Sequence, residues 1–122
     1  MKIRTHTCGE LKSKDCKKSV TLNGWVNTVR LHGQVVFIDL RDRYGKTQIV
    51  FNSENYVGDF DEVRKLSMED VLSVSGNVHK RENRSINSEM PTGEIEVYAS
   101  TMEILNHAEP LPFVISDRDS AE

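Results

Sequence analysis

Residues 35–51, VVFIDLRDRYGKTQIVF, constrain the fold of this chain more than any other stretch. Two runs rich in β-branched and aromatic side chains flank the polar segment RDRYG, which predicts a β-hairpin. Side chains alternate across a strand, so Val36, Ile38 and Leu40 share one face with Ile49 and Phe51 on the partner strand. That set is the expected core. Val35, Phe37, Asp39 and Arg41 fall on the other face, with Gln48, Val50 and Asn52 across from them. A two-residue turn at Tyr44 and Gly45 would pair Arg41 with Gln48, but it lacks the Asn or Asp that such turns favour. A four-residue loop over residues 41–44, with Gly45 free to take positive φ, sets Phe37 directly opposite Gln48, with Cβ atoms about 5 Å apart. Two readings of Phe37 follow. An outward ring beside an amide can stack on an unpaired nucleobase, the amide addressing the base edge; the plainer reading is that Phe37 belongs to the core, as most strand phenylalanines do.

The rest of the chain extends the hairpin into a barrel. Val20, Leu22, Gly24 and Val26 alternate with Thr21, Asn23, Trp25 and Asn27, which predicts a strand running on towards Arg30, with Gly24 marking a bend. Residues 31–34 form a short turn into the hairpin. Phe60, Val63 and Leu66 fall at helical spacing behind a capping Asp59, so residues 59–66 are expected to be a helix. Leu72, Val74, Gly76 and Val78 form the core face of a strand over residues 71–78, residues 79–93 a long polar excursion, and residues 95–105 the last strand. Pro110 and Pro112 signal the exit from the domain. Ahead of all this, residues 14–16 are expected to be helical. The order β-β-β-α-β-β, all-β with one short helix, suits a five-stranded OB-fold Greek-key barrel, which binds oligonucleotides on the face of strands 2 and 3 between the loops joining strands 1 and 2 and strands 4 and 5.

A net charge of −3 argues against gripping nucleic acid through bulk positive charge. Its distribution is more permissive: residues 1–18 hold six Lys or Arg against two acids and residues 30–46 hold four against two, with Lys80, Arg81 and Arg84 following. Acids gather in residues 53–70, so a basic and an acidic face would result if these segments separate in space; ordinary solvated charge is the alternative. Cys8 and Cys16 form no CxxC, and His6, His32, His79 and His107 form no ligand pattern, which predicts reduced thiols and no metal site. No run approaches the ~20 apolar residues of a membrane helix, and a cytoplasmic location with no membrane partner is expected.

The segments RTHTCGEL, VTLNGWV, FIDLRDRYGKTQIVF and PTGEIEV, in this order and spacing, closely resemble the N-terminal anticodon-binding domain of bacterial aspartyl-tRNA synthetases. The likeness runs from residue 3 to about residue 112. It implies an anticodon-binding domain over residues 1–112 and, over 113–122, the start of a linker to a class II catalytic domain. It further implies that Phe37 stacks on the central anticodon uridine, that Arg30 and Gln48 hydrogen-bond it, and that Glu94 lies near an outer base. His79 stands where an arginine is common, and His32 lies where a distinction between aspartate and asparagine tRNAs would be influenced. The resemblance implies a parent ligase that attaches aspartate to tRNA using ATP and Mg²⁺. Its partners would be tRNA(Asp), with tRNA(Asn) a second candidate, and a second copy of itself through the catalytic domain. These residues show no catalytic set or phosphate loop, so the fragment alone is expected to be inactive. A free-standing OB-fold protein for single-stranded nucleic acid is the competing reading, and an OB domain used for protein contact a third.

Overall fold

The computed structural model describes residues 4–81 and 92–106. Five strands, β1 (Ser19–His32), β2 (Val35–Asp42), β3 (Gly45–Asn52), β4 (Val71–Lys80) and β5 (Ile95–Asn106), close into a barrel in the order β1-β2-β3-β5-β4. All neighbours are antiparallel except β3 and β5. Helix α1 (Phe60–Arg64) lies between β3 and β4, as the expected order requires. The predicted inward sets are the core: Val20, Leu22, Val26, Val36, Ile38, Leu40, Ile49, Phe51, Leu72, Val74 and Val78 are all buried, joined by Ile95, Val97 and Ala99 of β5. Gly24 is needed for close approach, since a Cβ there would lie 2.4 Å from the backbone oxygen of Arg41.

The hairpin register differs from expectation by two residues. Asp42 pairs with Gly45, leaving Arg43 and Tyr44 as a two-residue turn, so Phe37 faces Val50 and Gln48 faces Asp39. The reason is Asp42. Its Oδ1 accepts from the backbone N–H groups of Tyr44 at 2.8 Å and Gly45 at 3.1 Å, which closes the turn through a side chain while Arg43 and Tyr44 keep negative φ. Gly45 takes positive φ, at 158°, as expected, and close approach requires it as well, because a Cβ there would meet Gly9 Cα at 2.8 Å. A two-residue shift preserves parity, so Phe37 and Gln48 remain on the outer face as diagonal neighbours.

The N-terminal segment is part of the core. Cys8 and Leu11 are fully buried; the Cys8 N–H donates to Asp42 Oδ2 at 2.9 Å and Thr47 Oγ1 donates to the Cys8 carbonyl at 2.7 Å, which staples the segment to the hairpin. Both cysteines are free, and burial, with Asp42 adjacent, pushes the Cys8 thiol pKa far up. The expected helical turn at 14–16 is a 3₁₀ turn over Ser13–Asp15.

Helix α1 starts at its predicted cap, with Asp59 Oδ1 accepting from the Asp61 N–H at 2.9 Å, but it ends at Arg64 rather than residue 66. Lys65 and Leu66 bond three residues back, to Glu62 and Val63, and that tighter winding brings Val63 and Leu66 onto the barrel. Most of the 79–93 excursion, including Arg84, lies outside the described residues, as do Pro110, Pro112 and residues 113–122.

Candidate nucleic-acid interface

The outer surface of the barrel is organised in cross-strand rows. In one row Arg30 of β1 pairs with Phe37 of β2, Phe37 with Val50 of β3, Val50 with Tyr98 of β5 and Tyr98 with Asn77 of β4. The row beside it runs from Thr28 to Asp39 to Gln48, and continues through Glu96 to His79. The first row carries Phe37 and Tyr98, with Arg30 at its β1 end, and the second carries polar groups and ends on the His79 ring. A shift of register between Val26 and Thr28 turns Thr28, Arg30 and His32 outward beside β2.

Phe37 is half-buried and sits outside the core cluster. The Arg30 guanidinium carbon lies 5.9 Å from its ring centroid, and the His32 ring meets it edge-on, with centroids 5.7 Å apart at 81°. Val50, next in the row, is buried without belonging to the core cluster; it is an apolar floor beside Phe37.

Reaching across from the first row, an Arg30 guanidinium N–H donates to Gln48 Oε1 at 2.9 Å, and Gln48 Nε2 donates to Glu96 Oε1 at 2.8 Å. Thr28 Oγ1 donates to Asp39 Oδ2 at 2.9 Å. Arg81, buried at the end of β4, donates from Nε to the Ile95 carbonyl at 2.9 Å. Burial lowers its pKa and Arg30 pushes the same way, while Glu96 and Asp39 support its charge. Arg30 and Glu96 thus hold the two ends of the Gln48 amide, with Asp39 paired across from Gln48 and Arg81 within electrostatic reach of both carboxylates.

Arg30, His32, Phe37 and Gln48 therefore form one cluster. His79 lies further along the same face, opposite Glu96, with its ring tilted against Tyr98 at 4.4 Å between centroids. These two rings line a cleft of about 280 Å³ with Asn55, Asn77, Ala99 and Ser100. Glu94 is exposed in the turn leading into β5 and is not joined to the Phe37 cluster; its carbonyl accepts from the Arg81 N–H at 2.9 Å. Sequence reasoning placed Asp39 on the outer face and Arg81 in a basic stretch without giving either a partner, and it missed Glu96 and Tyr98 as members of this surface. The alternation in GEIEVY was the available signal, because it puts Glu94, Glu96 and Tyr98 on the outward side of β5.

A closed five-stranded barrel with one helix between its third and fourth strands, bearing an aromatic and guanidinium surface on β1 to β3, defines an OB-fold of the kind that binds nucleic acid. The chain belongs to the tRNA anti-codon family of OB-fold nucleic acid binding domains, whose profile matches residues 20–105. It is 45% identical over 119 residues to an aspartate–tRNA(Asp/Asn) ligase of Salinibacter ruber, covering 98% of this chain and 19% of that protein. It is 50% identical over 117 residues to the ligase of the same name from Caldanaerobacter subterraneus, covering 96% of this chain and 20% of the relative. The chain therefore spans about a fifth of the length of these relatives. Among solved structures, asparaginyl-tRNA synthetase from Pyrococcus horikoshii superposes with a TM-score of 0.75 at 28% identity, over 88% of this chain and 24% of that one.

Proposed function

We propose that this chain is the anticodon-reading module of an aspartate–tRNA ligase, and that the central anticodon uridine stacks on Phe37 while Arg30 and Gln48 address its edge. The observation that carries the reading is the bonded Arg30–Gln48 pair lying beside a half-buried outward phenylalanine. A base stacked on a protein ring contributes roughly 1–3 kcal/mol, and an amide with a guanidinium offers both the acceptor and the donors a base edge requires. The cleft beside His79 and Tyr98 continues the face and would take a neighbouring nucleotide. Glu94 would meet an outer base, and His32, edge-on to Phe37 at the β1–β2 turn, would influence the choice between tRNA(Asp) and tRNA(Asn).

In this reading residues 1–112 form the module and 113–122 begin a connection to a class II catalytic domain. The parent would be a cytoplasmic homodimer that activates aspartate with ATP and Mg²⁺. Among the described residues there is no group of three or more His, Cys, Asp or Glu side chains that could hold a metal ion.

The reading is tested by titrating the protein with an anticodon stem-loop. Binding in the micromolar range or weaker is expected, falling about tenfold or more between 50 and 200 mM salt as a few phosphate contacts are screened. Salt-insensitive binding would contradict it, and equal affinity for single-stranded DNA of the same sequence would favour a general single-strand binder instead.

A further inference from the structure

We propose that residues 12–18, pinned against β4 beyond the Tyr98 cleft, are a second RNA contact that grips backbone phosphates of the stem-loop, with Lys17 at its centre. This inference rests on the anticodon-reading function proposed above and adds a contact outside the base-reading cluster. The segment, KSKDCKK, holds four lysines against one acid. All four lysines are exposed, whereas Asp15 is buried, its carboxylate accepting from the Lys12 N–H at 2.9 Å and from Lys18 Nζ at 3.0 Å. The acid is engaged within the segment, and the positive charge faces solvent. The Lys17 N–H donates to the Val78 carbonyl at 2.7 Å, and the Val78 N–H donates to the Lys18 carbonyl at 3.0 Å. Two residues therefore oppose one, which is a β-bulge, and its first residue is Lys17 at φ 73°, a conformation that glycine usually supplies in such a bulge. Lys17 is exposed, so packing offsets none of that strain; what its side chain adds there is charge.

The bulge is placed to meet RNA. Ser19, which follows it, pairs with Asn77, and Asn77 with Tyr98, so the lysines stand at the far end of the row that begins on Arg30 and Phe37. From Phe37 through Val50, Tyr98 and Asn77 to Ser19, each strand-to-strand step is about 4.8 Å, and the path lies within the roughly 4–16 nucleotides that an OB-fold covers. An RNA with one base on Phe37 and a neighbour in the Tyr98 cleft would carry its next phosphates over Ser19 to the bulge. An ammonium on a flexible stem is a point charge suited to phosphate, so this contact supplies affinity and salt dependence and leaves base choice alone.

The test measures stem-loop binding by the full chain at several salt concentrations, for the wild type, Lys17→Gly, Lys17→Arg and Phe37→Ala. Glycine removes the charge and relaxes the backbone, so Lys17→Gly should keep or raise the thermal midpoint. Its affinity at 100 mM salt should fall about three- to sixfold, and the slope of log affinity against log salt should become shallower by roughly 0.7–0.9, one phosphate contact. Preference for uridine over cytidine at the central position should not change. Arginine retains the charge, so Lys17→Arg should keep the wild-type slope. Wild-type slope and affinity in Lys17→Gly, or a lowered midpoint with the slope intact, would make Lys17 a structural residue of the bulge and overturn the proposal; if Phe37→Ala still weakens binding, the anticodon reading stands. No stem-loop binding by the wild type overturns both. Should Lys17→Gly not fold, Lys17→Asn, which also tolerates positive φ, takes its place in the same measurement.

Discussion

Ile38→Ala is expected to destabilise the domain by about 2–5 kcal/mol, with or without RNA present. Ile38 is fully buried and lies between Val29 of β1 and Ile49 of β3, near the middle of the three-stranded part of the wall. Truncation removes apolar contacts from the barrel interior and leaves a cavity that the closed sheet cannot collapse around, because each strand is held by a neighbour on both sides. Chemical denaturation measures the effect directly, and the thermal midpoint should fall by roughly 10 °C or more. A change under about 1 kcal/mol would mean that Ile38 is not the inward residue of this strand.

Phe37→Ala, one position away, is expected to do the reverse. Its ring sits outside the core cluster, against His32 and Arg30, so its loss should alter stability far less than that of Ile38. Binding should weaken by roughly five- to a hundredfold, the equivalent of about 1–3 kcal/mol for one base stack. The pair is informative because a single residue of the pleat separates them: the same truncation should strike the fold at one position and the ligand at the next. Loss of stability at Phe37 as large as at Ile38 would place the ring in the core and remove the stacking platform.

What could be read from the sequence was what periodicity controls. The alternation in residues 35–51 identified both the buried set and the outward Phe37 and Gln48, and the capping Asp59 marked the start of α1. Register was not legible, since it depends on Asp42 closing the turn through its side chain, and that carboxylate is also held by Cys8, 34 residues earlier. Leu11 and Cys8 looked unremarkable because a buried irregular segment has no period to detect. The same limit hid what Glu96 and Asp39 bond to. Each is a charged residue on an outward strand position, and what gives it meaning is a neighbour on another strand: Gln48 for Glu96 and Thr28 for Asp39.

The central claim is that the outer face of β1 to β3, extended by β5, is where the anticodon loop lies. Mapping amide chemical-shift changes while an anticodon stem-loop is added tests it most directly. The largest shifts should fall on Thr28, Arg30, His32, Phe37, Asp39, Gln48, Glu96 and Tyr98. Asn23, Ser73 and Glu103, one cross-strand row of the β1–β4–β5 wall, should stay nearly unmoved. Shifts concentrated on Asn23, Ser73 and Glu103, with Phe37 and Gln48 silent, would contradict the account.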